Sequence, residues 1–360
     1  MPHLFLAVTA HGYGHLAQVA PVVTELQRRI PGLRVTLQGD VDSAFAAARL
    51  PAGFQQIKEP GDVALPMTGP LHAAWQAGLA LFERFDAGYE VRLAAQQAIF
   101  RGGPPDLLLA DVPWLPLDAA RRLDIPGAAL CSLNWHDILI EGPIGDQVPA
   151  AMAARMRAAY SAAELFIRPR PSMPMAWLPN GRDVGPIAPW GRRDPSGLRR
   201  RLGIADGIVL VLMLFGGAGN LSLPLGWEPP DDMLLLTPIA AAADGRKRIR
   251  HIPAASLSNV LPSCDAVLTK PGYGTFAEAG CAGIPVLYVP RGDWPEEPYL
   301  VDWLDGRVPA APLPAADLAA GAVAEPLREL IARGPAEPLA PTGVEETADL
   351  LQRFLSCVGH

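Results

Sequence analysis

Short apolar runs alternate along the chain with longer stretches in which apolar residues recur every three or four positions. That alternation predicts β-α-β units building a parallel sheet. Residues 4–8 read as a first strand, residues 16–29 place Val19, Val22, Val23 and Leu26 on one helical face, and residues 34–38 return as a second strand. The pattern continues with helix 42–50, strand 54–57, a long helical region 71–100, strand 106–111, helix 117–123, strand 128–131, helix 150–163 and strand 165–167. Residues 58–70 are broken by Pro and Gly and predict a loop reaching towards a cleft. In the long helical region Leu71, Trp75, Leu79 and Phe82 form an apolar stripe, which predicts core packing.

The segment Gly185-Pro186-Ile187-Ala188-Pro189 predicts a stiff, extended linker. After it the alternation starts again: helix 198–202, strands 208–215, 233–236, 249–252, 266–268 and 286–288, a helix at 273–282 and a closing helix at 344–355. A chain of 360 residues is long enough for two cores. The expectation is an α/β protein with two Rossmann-like domains facing a cleft, divided as 1–182 and 190–340, with a closing C-terminal helix over 343–358.

Charge and composition narrow the partners. A formal net charge of −7 argues against nucleic acid, and the arginine clusters at 192–193, 199–201 and 246–250 read as solvated surface. No apolar run approaches the roughly 18 residues that predict a transmembrane segment, and the N-terminus lacks the features of a signal peptide, so a cytoplasmic protein is expected. Cys131, Cys264, Cys281 and Cys357 share no metal-ligand spacing and read as reduced, packed thiols.

The first strand runs into His11-Gly12-Tyr13-Gly14-His15 and then directly into a helix. Parallel sheets place ligands at the carboxyl ends of their strands, so His15 is a candidate general base, with the helix N-terminus favouring its neutral form. Asp111 ends a buried strand, where a carboxylate orients an imidazole and stabilises its cation, and the two residues are a candidate dyad. A second glycine-rich turn, Lys270-Pro271-Gly272-Tyr273-Gly274-Thr275, opens a helix that carries Glu278 one turn on. Its backbone N–H groups and the Thr275 hydroxyl suit a diphosphate, Glu278 suits ribose hydroxyls, and Gly216-Gly217 after another strand predicts a matching turn. Glu296 and Glu297 are candidates for sugar hydroxyls, and Trp114 and Trp135 follow strand ends where aromatic faces meet an acceptor. Lys270 precedes the glycines, so no Walker A loop is present, and Ala17 occupies the third glycine position of the first turn, which disfavours NAD. No Asp-x-Asp triplet occurs in the segment 290–299, and nothing in that segment requires a metal.

Taken in order, these residues resemble the glycosyltransferase-B superfamily, which includes the nucleotide-sugar glycosyltransferases and the peptidoglycan N-acetylglucosaminyl transferase. The nearest pattern is the glycosyltransferase-like N-terminal portion of L-arabinokinases and related bacterial proteins. It is carried by His11 to His15, Asp111-Val112-Pro113, Asn134-Trp135, Arg182-Asp183-Val184, Phe215-Gly216-Gly217, Lys270 to Glu278 and Glu296 to Leu300, spread over residues 3–305. The sugar-kinase half of the arabinokinases has no counterpart in this chain, so kinase activity does not carry over. The resemblance implies a hexosyl- or pentosyltransferase without a cofactor, with a nucleotide sugar, a UDP-sugar first, as co-substrate. It implies His15 and Asp111 as catalytic residues and Gly216, Gly217, Lys270, Gly272, Tyr273, Gly274, Thr275, Glu278, Glu296 and Glu297 as donor-binding. His11, Trp114, Asn134 and Trp135 fall on the side of an unidentified acceptor. Hydrolysis or epimerisation of the donor, or binding without turnover, are the alternatives, since one fold hosts several chemistries.

Overall fold

The computed structural model describes residues 1–9, 14–215 and 226–356. His11, Gly12, Tyr13, Gly216, Gly217 and Cys357 therefore lie outside the described residues. The first sheet consists of β1 (His3–Val8), β2 (Arg34–Gln38), β3 (Gln55–Ile57), β4 (Leu107–Asp111), β5 (Gly127–Leu130), β6 (Leu165–Pro169) and β7 (Gly181–Val184). Between them run α1 (Gly14–Arg29), α2 (Ser43–Arg49), α3 (Trp75–Ala87), α4 (Tyr89–Gly102), α5 (Trp114–Arg121), α6 (Trp135–Glu141) and α7 (Ala150–Ser161). The second sheet takes β8 (Val209–Leu214), β9 (Met233–Thr237), β10 (Ile249–His251), β11 (Ala266–Thr269), β12 (Val286–Tyr288) and β13 (Ala310–Pro312). Its helices are α8 (Pro195–Leu202), α9 (Ala240–Ala243), α10 (Leu257–Val260), α11 (Tyr273–Ala282), α12 (Glu297–Asp305), α13 (Ala315–Ala320) and α14 (Ala324–Ala332), and α15 (Gly343–Ser356) closes the chain.

The strand orders are β3-β2-β1-β4-β5-β6-β7 and β10-β9-β8-β11-β12-β13, and all strand pairings are parallel. In each sheet the winding reverses at the centre, between β1 and β4 and between β8 and β11. A reversal leaves a crevice at the carboxyl ends of those strands, where ligands bind in open α/β sheets. Both faces of each sheet are covered: Leu4, Leu6 and Val8 of β1 join one core, while Phe5 and Ala7 join the other. This two-sided burial explains why the strands read as unbroken apolar runs.

Three local features depart from the sequence pattern. The region 71–100 is not one helix, because α3 ends and α4 begins at Gly88, whose backbone serves both ends. Strand β7 and helices α6 and α12 had no period to reveal them, being short and rich in polar residues or proline; Pro298 sits in the first turn of α12, where its missing N–H costs nothing. Of the apolar stripe, Trp75, Leu79 and Phe82 pack in the first-sheet core, but Leu71 joins the core of the second sheet, so the loop before α3 bridges the halves.

The chain crosses between the halves at the linker after β7 and again before α15. Helix α15 lies on α1, with Ala348, Leu351 and Leu355 buried in the first-sheet core and Arg29 paired to Asp349. The crossing strands approach so closely that a Cβ at Gly343 would stand 2.1 Å from the Gly185 carbonyl oxygen. Glycine is required there by contact with neighbouring backbone.

Candidate active site

His15 is the second residue of α1, and Asp111 is the last of β4; the β1–β4 register pairs Val8 with Asp111, which brings the carboxylate beside the start of the helix. The His15 Nδ1 lies 2.7 Å from Asp111 Oδ1, with both side chains buried. A carboxylate accepts here, so Nδ1 carries the hydrogen and Nε2 is the basic nitrogen. Burial works against the imidazolium, but the charge and hydrogen bond of Asp111, reinforced by Asp62 and Glu296, outweigh it and hold the His15 pKa above its ordinary value. The helix terminus was expected to favour the neutral ring; the surrounding carboxyl groups reverse that direction.

Two of these neighbours come from unexpected places. Asp62, in the loop after β3, accepts a hydrogen bond from the Trp135 indole at 2.8 Å, and its burial raises its pKa to about 7. Cys131, just beyond β5, places its sulfur 3.8 Å from His15 Nδ1. Neither residue carries a local motif; the order of β4 and β5 beside β1 brings Cys131 to the histidine, and the loop after β3 brings Asp62.

No protein-family model matches the chain. Among curated proteins it is 25% identical to the L-arabinokinase of Arabidopsis thaliana over 317 residues, which cover 84% of this chain and 30% of that protein. It is 31% identical to the TDP-daunosamine transferase DnrS of Streptomyces peucetius over 247 residues, 60% of this chain and 51% of the relative. The chain thus spans about half or less of the length of these relatives. Among solved structures, CalG4, the calicheamicin glycosyltransferase, superposes with a TM-score of 0.65 at 18% identity and covers 100% of both chains. An enzyme described as a putative UDP-N-acetylglucosamine 2-epimerase from Listeria monocytogenes gives 0.59 at 13% identity, covering 100% of this chain and 98% of its own.

This is the glycosyltransferase-B fold.

The other candidate residues divide into three sets. Lys270 follows β11, and a Cβ at Gly272, the residue capping α11, would lie 3.8 Å from its Nζ, which places the ammonium at the helix N-terminus. Burial lowers the Lys270 pKa to about 7, with Arg291 pushing the same way and Glu296 and Glu297 opposing. Arg291 stacks its guanidinium 4.0 Å over the Trp294 ring, is buried, and among the described residues its Nε has no hydrogen-bond partner. It was not singled out in the sequence; a lone arginine after a strand has no period or spacing to mark it. Gly274 is exposed with no atom of the described residues within 4 Å of where a Cβ would stand, and Thr275 lies beside it in the first turn of α11.

A second set holds the halves together. Ser132 donates to Glu296 Oε1 at 2.6 Å across the domains, the Trp294 indole donates to Glu296 Oε2 at 3.2 Å, and the Trp75 indole donates to Asp293 at 2.6 Å. Both oxygens of Glu296 are thus engaged within the protein. Glu297 Oε2 accepts from the backbone N–H groups of Arg291 at 2.8 Å and Gly292 at 3.3 Å, which fixes the turn after β12. Each acid of the pair thus has a structural partner: one carboxylate bridges the domains and the other shapes a loop. Tyr273 also belongs here, accepting from the Ile187 N–H at 2.9 Å and donating to the Arg170 carbonyl at 3.3 Å, so its hydroxyl ties α11 to the first domain instead of facing a donor.

The third set is structural. Trp114 is 1% exposed and stacks on Phe82 with ring centroids 5.7 Å apart, and Trp135 is fully buried, so neither ring lines an acceptor surface. Asn134 caps α6, accepting from the Asp137 N–H at 2.8 Å and donating to its carboxylate at 3.0 Å. Residues following strands are as readily buried by the next helix as displayed by it, which is why position alone misassigned them. Glu278, by contrast, lines a cavity of about 240 Å³ beside α11 with Trp190, Arg192, Ser258 and Cys281, and burial raises its pKa to about 7 against the charge of Arg49. Trp190 is 61% exposed at the rim of this cavity.

Proposed function

We propose that the protein is a glycosyltransferase that moves a sugar from a nucleotide-sugar donor to an acceptor hydroxyl with inversion and without a metal. The observation that carries the reading is the buried His15–Asp111 hydrogen bond of 2.7 Å at the switch point of the first sheet. The acceptor oxygen forms a bond to the anomeric carbon as its proton passes to His15 Nε2, and Asp111 stabilises the resulting imidazolium. The bond from the anomeric carbon to the diphosphate oxygen breaks, and the diphosphate leaves with the electron pair. Arg291 and the N-terminus of α11 supply fixed positive potential for that leaving group, and Lys270 adds its charge when protonated. The cavity at Glu278 takes the nucleoside, with the carboxylate on the ribose hydroxyls and the Trp190 ring available to the base.

The named activities of the relatives, a TDP-daunosamine transferase and a calicheamicin glycosyltransferase, agree with transfer. The test is release of nucleoside diphosphate from UDP- and dTDP-sugars, with and without candidate acceptors. His15→Ala is expected to lower turnover by about 100-fold or more while donor affinity stays nearly intact. Equal turnover in the variant removes His15 from the chemistry.

A second reading has one observation behind it. Asp62 holds a proton near neutral pH beside His15, and epimerisation of a donor sugar needs a second group that exchanges protons. Product analysis separates the two: an altered sugar on an intact nucleotide donor replaces transfer with epimerisation.

A further inference from the structure

The transfer reading uses His15 and Asp111 and leaves Cys131 without a task. Among the described residues these three form a group of metal-ligand side chains whose ligand atoms all lie within 4.8 Å of one another. We propose that His15 Nδ1, an Asp111 oxygen and Cys131 Sγ form a binding site for a borderline-soft divalent ion, with zinc as the reference, and that the ion switches the histidine off.

The geometry is close to what such an ion needs. Tetrahedral zinc with ordinary bond lengths sets its ligand atoms roughly 3.3 Å apart for nitrogen and oxygen and roughly 3.5 Å apart for nitrogen and sulfur. The observed separations are 2.7 Å from His15 Nδ1 to Asp111 Oδ1 and 3.8 Å from Nδ1 to Cys131 Sγ, so these two pairs need adjustments of about half an ångström, and the third pair lies within 4.8 Å. His15 stands in the first turn of α1, and Asp111 and Cys131 stand at the carboxyl ends of β4 and β5, which are adjacent in the sheet and hold those two ligands in place. Among the described residues the buried Asp111 Oδ2 has no hydrogen-bond partner within ordinary geometry, and the Cys131 thiol already interacts with the Asp111 carboxylate, so the two ligands face one another. Asp62 and Glu296 lie near enough to act on the His15 charge, so the surroundings favour a cation. The nitrogen, oxygen and sulfur set selects zinc or cobalt over magnesium, which prefers oxygen ligands.

Binding forms a metal–sulfur bond as the thiol releases its proton to solvent, and a metal–nitrogen bond as Nδ1 gives up its hydrogen. The neutral ring then carries its hydrogen on Nε2, the atom that has to receive the acceptor's proton. Coordination therefore removes the base by changing its tautomer, and at the same time takes Asp111 away from it. The binding part of this inference stands apart from the transfer reading; the inhibition part rests on it.

Cobalt(II) titrated into the full chain without substrates tests the binding directly. A sulfur-to-cobalt charge-transfer band in the near ultraviolet is expected, saturating at one ion per chain, displaced by zinc and unaffected by excess magnesium. Cys131→Ser, which keeps the side-chain volume, and Cys131→Ala should both lose the band, with circular dichroism confirming that they are folded. No band with the unaltered protein overturns the proposal, as does a band that persists in the folded variants, which would belong to Cys264, Cys281 or Cys357. His15→Ala supplies an independent variant and should weaken cobalt binding by tenfold or more; unchanged binding removes the histidine from the site. Zinc is further expected to cut donor turnover at least tenfold, reversibly with a chelator, and unchanged turnover at saturating zinc overturns the switch. Absence of turnover with every donor counts against the transfer reading and leaves the cobalt result standing.

Discussion

One imidazole at the start of α1 collects its properties from residues scattered across the first half of the chain and from the second domain. Asp111 binds its Nδ1, and Asp62 and Glu296 add negative charge, so the His15 pKa lies above 6.5 despite burial. A base must be deprotonated to act, so kcat/KM is expected to rise with pH through an apparent pKa above that value, and Asp111→Asn should move this limb to lower pH while reducing the rate. A limb unmoved in the variant would assign it to another group. Asp62 has the opposite chemistry. Its folded pKa of about 7 exceeds the unfolded value of 3.8, so the folded state keeps a proton that the unfolded state has lost across that window, and stability falls as pH rises through it. Asp62→Asn keeps an acceptor for the Trp135 indole and removes the ionisation, so it should stabilise the protein at pH 8 by up to about 4 kcal/mol and hardly at pH 4. Equal effects at both pH values, read by chemical denaturation, would show that ionisation is not the cause.

At the scale of elements, α11 was legible in full because strand, glycine turn and helix follow one another in the sequence, and its observed span Tyr273–Ala282 equals the expected one. Helix α6 is only one and a half to two turns long, capped by Asn134, and has too few residues for an apolar period to emerge. The first turn of α11 also offers a test in which stability and binding move apart. Gly274→Ala meets no neighbouring atom of the described residues and introduces a better helix former, so the melting temperature should hold or rise. If a diphosphate occupies the space in front of that turn, the added methyl should raise the KM for donor several-fold while the fold stays intact. An unchanged KM would place the phosphates elsewhere.

Over the whole molecule, the domains meet through buried polar contacts as well as through linkers. Ser132 and Glu296 are 3% and 4% exposed, and their 2.6 Å hydrogen bond joins the end of β5 to the start of α12. Ser132→Ala leaves one buried carboxylate oxygen without its donor and is expected to cost about 1–3 kcal/mol. A double-mutant cycle with Glu296→Gln measured by thermal unfolding should return a coupling of about 1 kcal/mol; additive losses would mean that the bond does not connect the domains energetically.

The sequence by itself determined the fold class and the sites of most strands, and it marked the strand-to-helix turns from which the candidate site was read. Runs of buried residues and the glycines that interrupt them are local properties, readable wherever a strand hands over to a helix. His15, Asp111 and Lys270 were legible as candidates because each sits at such a junction, and Glu278 because it lies a turn beyond one. Only the tertiary structure decided which junctions face one another. It placed Asp62 and Cys131 around the histidine, set Arg291 beside Lys270, turned Trp114 and Trp135 into the core, and used Glu296 and Tyr273 to join the domains. These outcomes depend on strand order and on the packing of one half against the other. Residues distant in the chain then share one dielectric environment and one set of hydrogen bonds, which no local pattern records.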